Sequence, residues 1–241
     1  MTRDTVAAQP ILPPPYTPLR LREFGDAFVH ALSIAPECGA GTLVYVGRFD
    51  LAEYAVVLEP SEPLSKARRV FYAGMAAVAD ALATTAPAET AIQIEWPDAL
   101  YVNWALVGGG RLGWPKQADE TVVPEWLVFG ATIRTAWTQP VDPGLSPEVT
   151  ALNEEGFAEV TANHIIESFA RNLMHGLDAW QERGFPEAIK PYLERLAREN
   201  NQNCEIDENG DLRQRGAGGK TGRKLLLPRL TTPAWLDVAK T

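Results

Sequence analysis

The sequence predicts an α+β fold, in which a mixed sheet is flanked by helices and followed by a small, partly β C-terminal module. Apolar runs typical of strands occupy residues 42–46, 54–58 and 126–136. Two longer stretches with helical periodicity, residues 64–84 and 154–182, alternate with these runs. A hairpin signal with Asn209-Gly210 near its tip follows at residues 204–214.

Further elements follow from proline, glycine and apolar spacing. The first 18 residues are proline-rich and are predicted to run extended over the surface. A helical stripe covers residues 19–35, and residues 36–41 end it. Gly184 breaks the long helix, and a last helix carries Ile189, Tyr192 and Leu196. We therefore divide the chain into an arm (1–18), a main domain (19–185) and a C-terminal module (186–241).

Composition limits the class of protein. The net charge of −9 over 241 residues disfavours a nucleic-acid partner, which requires a basic surface, and weakly disfavours an anionic membrane. Two cysteines are too few for a disulfide framework and fit a reducing compartment. The sequence has neither an apolar run of the roughly 20 residues that span a bilayer nor the apolar core of a secretory signal. We expect a cytoplasmic, enzyme-like protein.

Residues 92–112 are the most informative stretch of the chain. A short strand enters a turn formed by Trp96-Pro97-Asp98, and a second strand at residues 100–102 leads through Asn103 to the glycine run 108–110. Glycine admits a close backbone approach that any side chain would block. A tight turn with a strand bulge is the alternative interpretation of the run.

This layout resembles the Trp-Pro hairpin of the biotin/lipoate A/B protein ligase family, in which small residues and glycine follow the hairpin and let the backbone approach the acyl chain or ring head group of the ligand. Residues 41–44 fit the first strand of that family, residues 58–64 fit its strand end and helix start, and residues 129–134 lie where it has a glycine-rich strand. The resemblance implies the mixed sheet of the class II synthetase and biotin ligase fold. It also implies ATP and Mg²⁺ as cofactors, a small carboxylate or acyl ligand, a carrier protein as acceptor and a possible homodimer.

The chain departs from the family where charge matters. Glu95 stands at the position of the motif lysine, Asp98 at that of an asparagine and Ala99 at that of an aspartate. Between Val46 and Tyr54 the acyl-adenylate loop is missing, and a single Arg48 is left. A carboxylate ~4 Å from a substrate carboxylate costs on the order of 4 kcal/mol at an effective dielectric of about 20, which weakens binding roughly a thousandfold. These changes argue against ATP-dependent adenylation of a carboxylate ligand by this protein.

Two hypotheses of function follow. In the first, the protein is a ligase-like enzyme that handles a small carboxylic or acyl ligand and a carrier protein. In the second, it is a non-catalytic, ligand-binding or regulatory pseudo-ligase. No catalytic residue and no metal ligand is predicted. The candidate ligand-binding residues are Arg48, Glu95, Trp96, Asp98, Gly108, Gly109, Gly110, Arg111 and Arg134.

Several candidates keep more than one interpretation. Glu95 is either a solvated strand residue or the partner of Arg134 across the former ligand pocket. Trp96-Pro97 is better explained by core packing and turn geometry than by ligand contact. Trp104 and Trp114 could wall a pocket or lie on the surface.

Weaker signals have structural explanations. Cys38 fits a packed residue better than an acyl-accepting thiol, and His164 and His175 fit capping and packing better than a metal site. Residues 218–221 mimic the end of a phosphate-binding loop without its context, and basic residues around them could contact an acidic partner. Trp235 is expected to hold the tail against the main domain.

Overall fold

The computed structural model describes residues 9–22, 25–139, 147–157, 159–197, 203–215 and 221–238. It confirms the α+β fold, with a seven-stranded sheet in the order β1-β2-β3-β7-β6-β5-β4. Strands β1 and β2 are parallel, and the other neighbours are antiparallel. The strands are β1 (Thr17–Leu21), β2 (Thr42–Val46), β3 (Leu51–Leu58), β4 (Ile92–Glu95), β5 (Ala99–Val102), β6 (Ala105–Gly113) and β7 (Leu127–Arg134).

Helices cover the two faces of this sheet unequally. The helices between residues 27 and 195 are α1 (Ala27–Ile34), α2 (Leu64–Ala67), α3 (Val70–Ala83), α4 (Ala162–Arg183), α5 (Phe185–Ala188) and α6 (Lys190–Arg195). Helices α3 and α4 cover the back face, where Phe71, Phe129 and Phe169 are fully buried. Helix α1 covers only part of the opposite front face, through Ala27 and Ala31. The rest of the front face is therefore accessible to other groups.

The C-terminal module contains the predicted hairpin. Its strands β8 (Asn203–Ile206) and β9 (Leu212–Arg215) pair on either side of the turn at Gly210, and β10 (Thr221–Lys224) pairs with β9. Helices α7 (Leu226–Thr231) and α8 (Trp235–Val238) follow. The buried Asp211 carboxylate accepts a hydrogen bond from the Leu226 amide at 2.8 Å, so α7 is tied to the small sheet.

The helix predicted for residues 19–35 begins too early. Residues 17–21 form β1 instead, where Leu19 and Leu21 alternate and pack against the front-face cluster. Helix α1 begins only after Asp26, whose side chain accepts a hydrogen bond from the Val29 amide at 2.9 Å. The spacing of Leu19 and Leu21 thus fits the two-residue alternation of a strand as well as a helical stripe.

Three other helical boundaries differ from the prediction. The helix at 64–84 is interrupted after Ala67, where the buried Arg68 forms an ion pair with Glu120. Helix α4 begins at Ala162 rather than near residue 154, because Thr161 and His164 form a capping box. The predicted break at Gly184 is confirmed by its φ of 84°, and the last helix is divided into α5 and α6.

The division into arm, main domain and module stays a prediction. Helix α6 packs against α3 and β4 of the main sheet. Residues 140–146, and most of the segment at 218–221, lie outside the described residues. Within the described part of the chain, no helix has the length and apolar character needed to cross a membrane.

Candidate ligand pocket on the front face

A cavity of about 350 Å³ opens on the front face beside α1, above Thr132 of β7. This front pocket has the size of a small-molecule site at the lower end of the usual range. It is lined by Asp26, Arg48, Asp50, Leu51, Glu53, Leu106, Val107, Gly108, Arg111, Thr132, Arg134, Thr138, Val149, Trp235 and Leu236. The sheet thus brings Arg48, Gly108, Arg111 and Arg134 of the predicted site together.

One wall is the connection between β2 and β3. This connection has only residues 47–50, as expected from the missing loop. Within it the Arg48 guanidinium forms a two-point ion pair with the buried Asp50 carboxylate. The hydrogen bonds from Arg48 lower the pKa of Asp50, so this carboxylate is charged at neutral pH.

A second ion pair closes the side next to α1. Arg111 of β6 donates to both carboxylate oxygens of Asp26, at 3.0 and 3.3 Å, and its guanidinium lies 4.5 Å from the ring centre of Phe28. Burial opposes ionisation of Asp26, but the hydrogen bonds from Arg111 and Val29 lower its pKa overall. The Arg111 guanidinium is therefore positioned both by the Asp26 carboxylate and by the Phe28 ring.

Glu53 is a buried acid at the same pocket. Its carboxylate accepts a hydrogen bond from the Ala27 amide at 2.9 Å, which fixes the first turn of α1 to β3. Burial raises the pKa of Glu53, and Asp26 acts in the same direction. Three acids and three arginines thus face one cavity, and its net charge depends on the protonation of Glu53.

The proposed pair of Glu95 and Arg134 is wrong. Glu95 lies at the end of β4, and the register aligns it through Ala99 and Gly109 with Thr132. Three strand spacings of about 4.8 Å place its backbone roughly 14 Å from β7. Arg134 instead lies 4.1 Å from the ring centre of Trp137, and Glu95 is exposed beside Tyr101. Burial, together with the Glu95 carboxylate, raises the pKa of Tyr101 to about 12.

The glycine run lies inside β6 and is not a turn. The turn is formed by Asn103 and Trp104, which have positive φ, and the bulge lies between Leu100 and Tyr101. A side chain on Gly110 would meet Met75 and Phe71 on the back face, and one on Gly109 would meet Trp235 on the front face. Glycine at these two positions is therefore required by packing within the protein, and close approach of this backbone to a ligand stays a prediction.

Trp235 supplies the remaining wall of the pocket. Its ring is 3 % exposed, and its Nε1 donates to the Gly110 carbonyl at 3.2 Å. Ala99 and Leu106 complete a small apolar cluster around it. The expectation that Trp235 holds the tail against the main domain is thus confirmed, and its position shows that it also borders the pocket.

Trp96 and Asp98 lie outside the front pocket. The Trp96 ring packs against the back-face core and its Nε1 donates to the Tyr72 hydroxyl at 3.0 Å, while the Pro97 carbonyl accepts from Tyr192. Asp98 is 5 % exposed, and its Oδ2 has no hydrogen-bond partner among the described residues. Burial raises the pKa of Asp98 from 3.8 to about 7, with Glu95 acting in the same direction and Arg229 against it.

Asp98→Asn tests this buried carboxyl. Folding raises the pKa of Asp98, which means that the protonated carboxyl is favoured in the folded protein. Its contribution to stability is therefore complete below pH ~4 and is lost as pH rises through about 7. We expect the wild-type protein to lose stability relative to Asp98→Asn across that interval, by an amount on the order of a few kcal/mol. Urea denaturation of both proteins below and above the interval measures the difference. Parallel stability curves would contradict the assignment.

The weaker candidates are placed elsewhere. Trp104 is 72 % exposed, and Trp114 packs against the back-face core, so neither walls the pocket. Cys38 is a half-buried residue packed against the front-face cluster. His164 caps α4 and His175 is exposed. Among the described residues, no group of three His, Cys, Asp or Glu side chains could hold a metal ion.

Sequence reasoning missed Asp26, Asp50, Glu53 and Thr132 in this site. Glu53 left a usable signal, since it is a single charge in an otherwise apolar strand. Aspartate is a residue type typical of helix caps, so Asp26 was recognisable only in that role. Its ion pair with Arg111 joins two residues 85 positions apart, and no local pattern indicates it.

Comparison with known proteins identifies the same family that the Trp-Pro hairpin resembles. Residues 12–194 match the model of the biotin/lipoate A/B protein ligase family, and the chain belongs to this family. No curated protein matches the chain. A biotin protein ligase-like protein of unknown function from Silicibacter sp. TM1040 has a similar structure, with 26 % identity and a TM-score of 0.76 over 89 % of this chain and 96 % of that one.

Two solved structures of biotin protein ligases share the fold at lower identity. The Aquifex aeolicus enzyme in complex with biotin and ATP is 14 % identical, with a TM-score of 0.65 over 87 % of this chain and 95 % of that one. The Leishmania major enzyme in complex with biotinyl-5-AMP is 14 % identical, with a TM-score of 0.55 over 89 % and 100 %. At this identity the likeness shows the fold alone.

Proposed function

We propose that the protein binds a small carboxylic or acyl ligand in the front pocket and does not adenylate it with ATP. The observation that carries the proposal is the convergence of Arg48, Arg111 and Arg134 on a cavity that apolar side chains also line. Membership of a family of carboxylate-activating ligases supports the same class of ligand.

The lining suggests how such a ligand lies. Arg48 and Arg134 lie near each other, since Leu51 at the end of the β2–β3 connection pairs with Arg134. Leu106, Val149 and Trp235 add apolar side chains to the same lining. A carboxylate at the arginine end gains charge-assisted hydrogen bonds, and its chain gains contact with the apolar wall. We assign the carboxylate to the Arg134 end, because the Arg48 and Arg134 guanidinium groups lie close enough to interact electrostatically and a carboxylate beside them would meet both.

ATP and Mg²⁺ do not fit the residues that line this pocket. A triphosphate requires cations and a set of backbone amides, yet the β2–β3 connection has only four residues, 47–50. Asp26, Asp50 and Glu53 add acidic groups to the cavity. Glu95 cannot replace the motif lysine, since it bears the opposite charge.

The ligase reaction is the second candidate, favoured by the family match over residues 12–194. It would require ATP, a carboxylate and an acceptor lysine on a carrier protein. Its first step, formation of an acyl-adenylate, releases pyrophosphate and can be assayed without the acceptor.

Calorimetric titration with butanoate, hexanoate, octanoate, lipoate and biotin tests the proposal, together with carboxylate-dependent ATP–pyrophosphate exchange. We expect binding of at least one acid and no exchange. Arg134→Gln should weaken binding by roughly tenfold or more, because a hydrogen bond to a charged group contributes about 1.5–3 kcal/mol. Arg171→Gln, which changes an exposed arginine on α4, is the matched control.

Two outcomes would contradict the proposal. Pyrophosphate exchange with any of the acids would establish the ligase candidate. Equal affinity of the wild-type protein and a folded Arg134→Gln variant would remove Arg134 from the ligand site.

A further inference from the structure

We infer that Trp235 and Leu236, from the C-terminal module, set the length of the acyl chain that the front pocket accepts. The inference rests on the proposed function and assigns short-chain carboxylic acids as the ligand class. It starts from the observation that one wall of the cavity comes from residues more than a hundred positions away from the glycine strand in sequence.

The fit between Trp235 and β6 is close. A Cβ at Gly109 would lie 2.7 Å from both Cε2 and Nε1 of Trp235, so only glycine leaves room for the ring at this position. The hydrogen bond from Nε1 to the Gly110 carbonyl fixes the orientation of the ring, and Ala99 and Leu106 pack beside it. The indole thus covers strand surface that a longer ligand would otherwise occupy.

The position of the wall is fixed by further contacts along the C-terminal module. The Asp211 carboxylate holds the start of α7 through the Leu226 amide, and Leu226 and Leu230 are buried. Arg229 of the same helix lies near enough to Asp98 to influence its pKa. Trp235 follows four residues after this helix, so the fixed position of α7 restricts where Trp235 contacts the sheet.

Trp235 borders the cavity and does not fill it. Trp235 and Leu236 line the same cavity of about 350 Å³ as the three arginines, so the ring leaves this space open. Arg134 lies on β7, and Trp235 covers Gly109 on the neighbouring strand. The cationic end and the apolar wall are therefore only about one to two strand spacings of ~4.8 Å apart. A chain that runs from Arg134 toward Trp235 must be short.

The test compares the affinities of butanoate, hexanoate and octanoate for four proteins by calorimetry. These are the wild-type protein, Trp235→Ala, Leu236→Ala and Trp104→Ala, the last being a matched control for loss of an exposed tryptophan. We expect the wild-type protein to prefer the shorter acids. Trp235→Ala should raise the octanoate-to-butanoate affinity ratio at least tenfold, and Leu236→Ala should raise it by a smaller factor. Trp104→Ala should leave the ratio unchanged.

The outcomes separate this inference from the proposed function. Binding with an unchanged ratio in Trp235→Ala and Leu236→Ala would overturn the inference alone. If Trp235→Ala does not fold, as judged by circular dichroism, an unchanged ratio in Leu236→Ala has the same meaning. If none of the acids binds to any folded protein, the proposed function fails and the inference fails with it.

Discussion

Replacing Gly108 by alanine is expected to lower the free energy of unfolding by about 3 kcal/mol or more. The φ of Gly108 is 154°, a region that residues with a side chain rarely adopt. A Cβ there would overlap the Thr132 carbonyl oxygen and lie 2.9 Å from its carbon and 3.0 Å from the Ile133 Cα. Backbone strain contributes about 1–3 kcal/mol and overpacking about 1–3 kcal/mol. Urea denaturation measures the loss.

Gly39→Ala is the control for this variant. Nothing lies within 4 Å of a Cβ at Gly39, and its backbone is not in the left-handed region. Alanine there should leave stability unchanged or raise it slightly, because it restricts the unfolded chain. If both glycine variants had the same stability, the close approach of β6 and β7 at Gly108 would not be limiting.

Replacing Phe129 by alanine should cost about 3–5 kcal/mol of stability. Phe129 is fully buried at the centre of the back face, where its ring centre lies 5.7 Å from that of Phe169 in α4 and 5.8 Å from that of Phe71 in α3. Gly74 leaves space for its edge. The ring therefore joins the sheet to both covering helices, and its loss opens a cavity at their junction.

Phe49→Ala provides the matched comparison. Phe49 is 73 % exposed, and its backbone carbonyl accepts a hydrogen bond from the Thr135 hydroxyl. Its replacement should change stability by no more than about 0.5 kcal/mol. A cost for Phe49→Ala similar to that of Phe129→Ala would show that the back-face core does not dominate stability.

Local patterns were sufficient to predict most of the sheet. Strands β2 and β7 follow from apolar runs, and the turn at Gly210 follows from the Asn-Gly pair. The start of α1 could not be located in the same way, because Leu19 and Leu21 fit both a strand and a helix. Parallel pairing of β1 with β2 decides between them, and this pairing is a tertiary contact.

The site was only partly predictable for a related reason. The hairpin pointed to Gly108 and Arg111, and the missing loop pointed to Arg48. Asp50 lies only two residues after Arg48, but Asp26 and its partner Arg111 come from separate elements, so no spacing in the sequence connects all of them. The Glu95–Arg134 pair was wrong because family positions were combined without the strand order that separates them.

The small cluster around Trp235 has a consequence for local dynamics. It contains Ala99, Leu106 and Trp235 and is distinct from the two larger cores that join the sheet to its helices. Release of α8 from β6 would expose few apolar groups, so this opening should require much less free energy than global unfolding. Amide hydrogens near Trp235 should then exchange with solvent well before those of α3. Such sub-global opening would admit a ligand to the front pocket while the sheet stays folded.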